Sequence, residues 1–516
     1  MRKLAEPKDS IVGERAPFFW AGCAAISIGV LLHLPMLSMA HDMGNHLAGM
    51  PMDMGMHAGM ALIALGAPLA CYGALPKQRA PHGDHAGTSF EAPDSTPLNR
   101  WHAATLLVLT LGLIIDVMKP ATLGFVLPGM ANEYGIERSH VALLPLVALT
   151  GTTVGSFLWG WLADIYGRRV SILLSTILFV STAICGAMPK FEWNLVMCFL
   201  MGISAGGMLP VIYTLLAEVM PPRHRSWVLV LVGGTGLVGG YLAASGAAYV
   251  LEPIYGWRAL WLQGFPSGLL LLALARFIPE TPRFLAERDR AAELAAMQRK
   301  FGLQPKPRPV QPPSDAPTPA GHRQITVALT VTALCWSFVN FGLLLWLPSD
   351  LQVRGYSAEI ASGILAKSSL LAFPTILLAA YFYARHSSKW TLVGTVSLTV
   401  IGLLGALLPA ELLSWEPMLV SVIAILIVGT NGTIAVLQPY TAENYPLGNR
   451  GRATGLVAGS SKFGGVAVQV AALAGFAPTL VGAALALLLP TAASAGMIAW
   501  AGRETQGRSL RELEAE

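Results

Sequence analysis

Long apolar stretches separated by short polar segments run along almost the whole chain. Each stretch has about 20 residues, enough to cross the ~30 Å hydrocarbon core of a bilayer. A backbone in lipid must satisfy its own hydrogen bonds, so these stretches are predicted to be helices. They lie near 17–39, 57–75, 103–127, 141–162, 170–188, 193–217, 227–249, 259–277, 325–347, 359–383, 391–409, 418–438, 453–475 and 479–500. The pattern therefore predicts an all-α integral membrane protein with fourteen spans.

Lysine and arginine fall mainly in alternate connecting segments. With the N-terminus inside, the inner segments hold 27 of the 34 basic residues. The outer segments hold only four, and the remaining three lie within spans: Arg138, Lys190, Arg258 and Arg354 outside, and Lys119, Lys367 and Lys462 within. Cytoplasmic loops carry such an excess. We expect a multi-pass protein of the cell inner (plasma) membrane with both termini cytoplasmic.

The first span has a second interpretation. A basic start, an apolar middle and the ending Ser38-Met39-Ala40 are also typical of a cleaved signal peptide. The apolar region is long for a signal peptide, which favours an uncleaved helix. Either interpretation places the segment that follows it outside the cell.

Two segments of the chain repeat one another. The pattern Ala217-Glu218-x-x-Pro221-x-x-x-Arg225 recurs as Ala442-Glu443-x-x-Pro446-x-x-x-Arg450, and Pro279-Glu280-Thr281 recurs loosely as Arg503-Glu504-Thr505. Parallel repeats of this kind enclose a central cavity with substrate near the midplane. We predict a two-helix appendage (1–99), a six-helix bundle (100–280), a cytoplasmic linker (281–324), a second six-helix bundle (325–505) and a cytoplasmic tail (506–516).

Within the linker, the charged stretch 287–302 predicts a surface helix, and seven prolines between 305 and 319 predict a stiff extended segment.

Composition agrees with a membrane protein and excludes several other classes. Only 12% of the residues are charged and 54% are hydrophobic, whereas a soluble domain has about 25% charged residues. All five cysteines lie inside apolar runs, so neither a disulfide framework nor a cysteine metal cluster is indicated. The net charge of +5 belongs to the inner loops. No nucleic-acid partner is expected, and no nucleotide-binding loop, catalytic triad or haem motif points to an enzyme.

Several loop motifs point to one family. Gly160-Trp-Leu-Ala-Asp164-Ile-Tyr-Gly167-Arg168-Arg169 lies where the fourth span meets the cytoplasm. Pro279-Glu-Thr-Pro-Arg283, Gly256-Trp-Arg-x-x-Trp261 and Glu504-Thr-Gln-Gly-Arg508 follow in later loops. Over about 100–510 the chain resembles the major facilitator superfamily, especially its sugar-porter and organic metabolite:proton symporter branches, with two added N-terminal helices. The resemblance implies a 12-helix, 6+6 fold and secondary transport. We expect the protein to be a monomer.

The same loops supply a candidate conformational latch. Asp164 can oppose the positive helix N-terminus near Arg452 or pair with Arg168. Glu218 with Arg225, and Glu443 with Arg450, can add ion pairs at the same surface. The candidate latch residues are Gly160, Asp164, Gly167, Arg168, Arg169, Glu218, Arg225, Glu443 and Arg450. Exposed pairs contribute only about 0–1 kcal/mol each, so solvated loop charges are the alternative.

Charges inside the bilayer indicate the substrate pathway, because each is costly there. Asp116 and Lys119 lie three residues apart on one helical face, and Lys367 and Lys462 lie in the eighth and eleventh spans of the two bundles. Three lysines against one acid predict a positively biased cavity for a carboxylate or other anion. A structural Asp116–Lys119 pair, with Lys462 extending to an interface, is the alternative. Asp116 is the candidate proton carrier.

Polar and amphipathic residues in the core spans complete the candidate pathway: Tyr213, Asn340, Trp346, Asn431 and Gln438. One departure from the family bears on coupling. The resemblance implies an arginine in the fourth core span, where this chain has Cys198 within Val196-Met197-Cys198-Phe199. Proton coupling is therefore either rearranged or absent.

The segment 41–60, HDMGNHLAGMPMDMGMHAGM, contains six methionines and three histidines. Thioether and imidazole ligands favour Cu(I), so the segment offers possible copper ligands: His41, Met43, His46, Met50, Met52, Met54, Met56 and His57. It belongs to the appendage and has no fixed spacing, and a mobile outer loop explains it equally well.

Three interpretations follow. The chain is a secondary transporter of a small organic metabolite, expected to be an anion such as a carboxylate, by alternating access with proton coupling and without a cofactor. Alternatively it is a copper transport or copper-tolerance protein, or a sensor on a transporter scaffold.

Overall fold

The computed structural model describes residues 15–75, 88–288, 290–307, 320–445, 447–476 and 479–506. It contains fourteen helices that are long and apolar enough to cross a membrane. In chain order they are α1 (Ala16–Asp42), α2 (Met54–Ala74), α3 (Arg100–Tyr134), α4 (Ser139–Tyr166), α5 (Arg168–Ala187), α6 (Phe191–Val219), α7 (Pro222–Tyr255), α8 (Ala259–Phe277), α9 (Arg323–Val353), α10 (Ala358–Arg385), α11 (Ser388–Gly405), α12 (Glu416–Glu443), α13 (Arg452–Leu473) and α14 (Leu480–Ala501). The prediction of an all-α membrane protein is confirmed.

The helices form two six-helix groups and an added pair. Helices α3–α8 make the first half and α9–α14 the second, and they meet along α7 with α10 and α12, along α4 with α13, and along α3 with α9. We call the end of the bundle that carries Arg168, Arg225 and Lys389 the basic face, and the other end the opposite face. Helix α9 contains a π-helical segment, Asn340–Leu344, near its centre.

Glycines let the added pair α1 and α2 pack at backbone contact distance. A Cβ at Gly22 would overlap the backbone of Ala70, one at Gly29 would lie 2.7 Å from the Gly59 carbonyl oxygen, and one at Gly73 would overlap Phe19. Small residues at such contacts allow helices in lipid to approach closely. The pair packs on α5 of the first half.

Other glycines bring helices of one half together. Both glycines of the motif Gly151-x-x-x-Gly155 in α4 pack against the Phe199 and Ile203 carbonyls of α6. Near Gly455 and Gly459 of α13, a Cβ would meet nothing within 4 Å. The actual contact between α4 and α13 is made by Leu149 and Gly465.

A buried ion pair fastens the added helices to the first half at the opposite face. Arg258 donates to Glu133 at 2.6 Å, and both side chains are at most 4% exposed. Trp257 Nε1 donates to the same carboxylate at 2.9 Å. The backbone N–H groups of Leu47 and Ala48, in the loop between α1 and α2, donate to it at 2.6 and 3.0 Å. The loop is thus bound to a carboxylate of α3.

At the basic face, two short strands tie the chain before α3 to the linker between the halves. Strands β1 (Thr88–Glu91) and β2 (Gln304–Pro307) pair antiparallel. The predicted surface helix is present as Ala291–Phe301, preceded by a short helix, Pro282–Glu287. Asn99 Nδ2 donates to the Lys300 carbonyl at 2.7 Å. The proline-rich segment was predicted to be stiff and extended, and its first residues belong to strand β2. Residues 308–319 and 507–516 lie outside the described part.

Replacing Glu133 with Gln should lower the stability of the protein by about 3 kcal/mol, because removing one partner of a buried pair leaves the other charge uncompensated. The exposed pair Arg290–Glu293 of the linker provides the matched control. Glu293→Gln should change stability by less than about 1 kcal/mol. Thermal or denaturant unfolding of the purified protein measures both effects. Equal effects of the two variants would contradict a stabilising role of the buried Glu133–Arg258 pair.

Candidate functional site

An acid of the first half and a base of the second, each about halfway along its helix, interact electrostatically across the boundary between the halves. Asp116 lies about halfway along α3 and is 4% exposed, and its Oδ1 is buried without a hydrogen-bond partner in the described structure. Lys462 lies about halfway along α13 and interacts electrostatically with Asp116. No direct ion pair joins them among the described residues. Asp116 Oδ1 is thus a buried acceptor that no described group uses.

The face of α13 that carries Lys462 also carries Gly465 and Gln469, three and seven residues further on. Gly465 is in contact with Phe341 of α9 and Leu149 of α4. Gln469 is buried; its Nε2 donates to the Phe341 carbonyl at 2.8 Å, and its Oε1 accepts from Trp346 Nε1 at 3.2 Å. The π-helical segment of α9 thus lies directly against this face. Such segments often occur at functional sites.

Of the predicted pathway residues, Lys119 does not pair with Asp116. It is 1% exposed and donates to the Phe179 carbonyl and to Thr182 Oγ1, each at 2.6 Å. Phe179 lies in the last turn of the helix Arg168–Ser181, where carbonyls lack intrahelical partners. These acceptors draw the ammonium into the interior of the first half, away from the boundary between the halves.

Lys367 also lies apart from the site. Its side chain is 61% exposed and forms an ion pair with Glu416 at the start of α12. The expectation of a cavity with several unpaired lysines is therefore corrected. Of the three lysines, only Lys462 faces Asp116, and the centre holds one acid and one base.

The remaining pathway candidates are scattered. Trp346 is buried against Gln469. Tyr213 of α6 packs with its hydroxyl against Gly233 of α7. Asn340 begins the π-helical segment, and its carbonyl accepts from Leu345 N at 3.1 Å. Asn431 is buried in α12, and Gln438 lies half-buried nearer the basic face. Sequence reasoning missed Gln469 and Phe341, although the spacing of Gln469 from Lys462 was a usable signal.

At the basic face, each half uses a carboxylate to cap its third helix. Glu280 accepts from the N–H groups of Arg168 and Arg169 at 2.8 and 3.2 Å, at the start of α5. Glu504 accepts from Ser388 N at 2.9 Å and from Ser388 Oγ at 2.7 Å, at the start of α11. Carboxylates stabilise helix N-termini. The loosely repeated motifs thus have the same structural role in both halves.

The two capping carboxylates differ in their proton affinity. Burial raises the pKa of Glu280 in spite of the N–H groups that donate to it. Burial also acts on Glu504, but hydrogen bonds from Ser387, Ser388 and the Gln506 N–H outweigh it and lower the pKa of that carboxyl.

Gly167 precedes α5 with φ +98°, and a Cβ there would overlap Glu280. A glycine is required at this position.

The predicted latch residues divide between local and cross-half contacts. Asp164 pairs with Arg168 at 3.2 Å within its own loop. Glu218 interacts with Arg168, Arg283 and Thr281, and Arg225 with Glu91, Glu218 and Asp94. The side chain of Arg450 lies outside the described part. Near Gly160 a Cβ would meet nothing within 4 Å.

Glu443 makes the contact between the halves. Ser226 Oγ of α7 donates to it at 2.7 Å, while Tyr383 and Thr505 donate at 2.7 and 2.6 Å from its own half. Ser226 therefore joins the two halves here. It is an uncharged residue that the predicted ion pairs did not include.

The methionine- and histidine-rich loop makes packing contacts. His41 lies 5.6 Å from the Tyr255 ring, His57 Nδ1 contacts the Asp53 carbonyl at 2.8 Å, and Met56 is buried. Within the described residues, no three His, Cys, Asp or Glu side chains form a group able to hold a metal ion. Neither the structure nor the relatives support copper as substrate or cofactor.

Two six-helix halves and the family comparison identify a membrane transporter. The model of the Major Facilitator Superfamily matches residues 109–469, more than half of the chain, and the protein belongs to this superfamily.

Named relatives carry organic substrates. The niacin transporter NiaP of Acinetobacter baylyi is 26% identical over 444 residues, which cover 81% of this chain and 98% of the relative. The 4-hydroxybenzoate transporter PcaK of the same species is 25% identical and covers 72% of this chain and 84% of its own. A gallate transporter of Pseudomonas putida is 30% identical over 52% of this chain and 63% of its own.

Solved structures show the same fold. The xylose transporter XylE from E. coli, in a partially occluded inward-open conformation, superimposes with a TM-score of 0.61 at 16% identity, covering 80% of this chain and 100% of XylE.

Replacing Ser226 with Ala should open the basic face, because a hydrogen bond to a carboxylate contributes about 1.5–3 kcal/mol. Hydrogen exchange at the basic ends of α7 and α12 should rise about tenfold or more. Ser156→Ala is the matched control, since Ser156 Oγ donates to Gly206 within the first half at 2.7 Å. Equal exchange in both variants would show that Ser226 does not hold the halves together.

Proposed function

We propose that this protein is a secondary transporter of a small aromatic carboxylate, moved together with a proton across the cell inner membrane by alternating access. The observation that carries the proposal is Asp116, a buried carboxyl with an unbonded oxygen, placed opposite Lys462 of the other half. A substrate between these two groups contacts both halves at once. Closure around it can then be transmitted to either face of the membrane.

The charges of the site argue for proton coupling. With Asp116 ionised and Lys462 protonated, the empty site is neutral, and adding an anion would leave an uncompensated negative charge at high cost in a dry interior. A proton on Asp116 removes the competing carboxylate and leaves Lys462 free to pair with the substrate carboxylate. The loaded and empty sites are then both neutral, and both forms can cross.

The substrate class follows from relatives and from the surroundings of Lys462. Niacin, 4-hydroxybenzoate and gallate, the substrates in the relatives' names, each combine an aromatic ring with one carboxyl group. In this chain Phe341 and Trp346 lie against the face of α13 that carries Lys462. Aromatic pairs contribute about 0.5–1.5 kcal/mol beyond the area that they bury. An ammonium beside aromatic rings suits such a ligand.

Opening and closing would occur at the contacts described above. Ser226 and Glu443 join the halves at the basic face. Nearer the opposite face, Gly124 of α3 is in contact with Leu345 of α9, and Tyr249 of α7 with Gly363 of α10. Breaking one set while keeping the other would expose the centre to one side only. We propose that the basic face and both termini lie in the cytoplasm, because lysine and arginine are enriched in cytoplasmic loops.

Replacing Lys462 with Met should lower the uptake of labelled nicotinate or 4-hydroxybenzoate into proteoliposomes at least tenfold, because the substrate carboxylate loses its partner. Lys367→Met removes the same charge from the exposed pair with Glu416 and should leave uptake within about twofold. Equal losses in the two variants would remove Lys462 from the substrate site. No uptake of either compound by the unaltered protein would reject this substrate class.

Replacing Asp116 with Asn should abolish accumulation driven by a pH gradient while leaving exchange of labelled for unlabelled substrate, because a permanently neutral amide cannot release the proton. A protonophore should abolish accumulation in the unaltered protein and have no effect on exchange. Gradient-driven accumulation by Asp116→Asn equal to that of the unaltered protein would contradict the role of Asp116.

A further inference from the structure

A small cavity lies inside the second half, away from the boundary between the halves. Its lining comes from four helices, α9, α11, α12 and α14: Thr332, Cys335, Trp336, Val396, Thr399, Thr430, Thr433, Thr491 and Ser494. About 10 Å³ within it is open to the centre of a water-sized sphere, about the space that one water molecule needs. Six of the nine lining side chains carry a hydroxyl group.

Three polar atoms around this cavity have no hydrogen-bond partner in the described structure: Trp336 Nε1, Thr430 Oγ1 and Thr433 Oγ1. The two threonines are at most 3% exposed. The hydroxyls of Thr491 and Ser494 interact with the Cys335 thiol. A buried polar group left without a partner is destabilising, so three such groups around one cavity are expected to share a ligand.

The chemistry of the lining identifies the ligand. Thr332, Thr399 and Ser494 donate their protons to carbonyls of their own helices at 2.8, 3.2 and 2.8 Å, so they offer only oxygen lone pairs to the cavity. The indole N–H of Trp336 can only donate. The ligand must accept one hydrogen bond and donate others, must be small, and must be uncharged, since the lining contains no ionisable carboxylate. A bare cation cannot accept the indole proton.

The first half offers an internal comparison. There the corresponding helices α3, α5, α6 and α8 meet around the ammonium of Lys119, which donates to Phe179 and Thr182, interacts with Cys198, and lies about 3.4 Å from where a Cβ at Gly264 would be. A protein side chain thus supplies hydrogen bonds at the centre of that half. No charged side chain lines the cavity of the second half.

We propose that this cavity is a binding site for one ordered water molecule, which joins α9 to α12 through the three otherwise unpaired polar atoms. The water supplies in the second half what Lys119 supplies in the first. Buried waters typically make about three hydrogen bonds, which matches the lining. The site is independent of the proposed substrate and of proton coupling.

The test is the sign of the change in melting temperature of the full-length protein in detergent or nanodiscs. Thr433→Val replaces an unpaired hydroxyl by a methyl group of the same shape. If water is bound, the variant loses a hydrogen bond and melts several degrees lower; if the cavity is dry, it loses an unsatisfied group and melts at the same temperature or higher. Thr441→Val is the control, because Thr441 lies on the same helix and donates to Leu437 at 2.7 Å, away from the cavity.

A second variant acts in the same direction by another route. Val396→Leu adds one methylene at the cavity wall. If water is bound, the methylene displaces it and lowers the melting temperature. If the cavity is empty, the methylene fills it and raises the melting temperature. A decrease in both Thr433→Val and Val396→Leu beyond that of Thr441→Val supports the water site, and an increase in either overturns it. The unaltered protein and Thr433→Val are also melted in sodium chloride and in choline chloride. A higher melting temperature in sodium chloride for the unaltered protein, but not for Thr433→Val, would overturn the water site in favour of a cation site.

Discussion

The structure depends on a carboxyl group placed where water does not reach it. Asp116 lies in the middle of α3 with an unbonded oxygen, and the base that compensates it, Lys462, belongs to the other half of the molecule. A charge inside a bilayer must be paired, neutralised or exposed to a water-filled path. We propose that the relative position of the halves and the protonation state of Asp116 are linked, because the acid and the base belong to different halves.

The rest of the first half is built to hold α3 in place. The Glu133–Arg258 pair binds the end of α3 at the opposite face to the residue that precedes α8 and to the loop of the added helices. The strand pair β1–β2 and the contact of Asn99 with Lys300 hold the other end of α3, at the basic face, to the linker. The added helices are therefore part of the first half rather than a separate module, and the methionine-rich loop serves as a docking element in this arrangement.

The second half is less tightly filled at its centre. Where Lys119 occupies the middle of the first half, the second half has a hydroxyl-lined cavity. The two halves share their capping carboxylates, Glu280 and Glu504, and the threonines beside them, Thr281 and Thr505. The duplication has thus kept the helix caps at the basic face while the interiors have diverged. Caps at the helix starts tolerate less change because each satisfies several backbone groups at once.

The sequence by itself determined the number of spans, the two halves and the family, because apolar length, charge asymmetry and repeated loop motifs are local properties of the chain. It also identified Asp116 and Lys462 as costly charges in lipid. Tertiary structure alone decided which charges meet. Lys119 lies three residues from Asp116 yet turns to Phe179 and Thr182, and Lys367 turns outward to Glu416. A long, flexible lysine reaches any acceptor within several ångströms, and only packing determines which acceptors lie there.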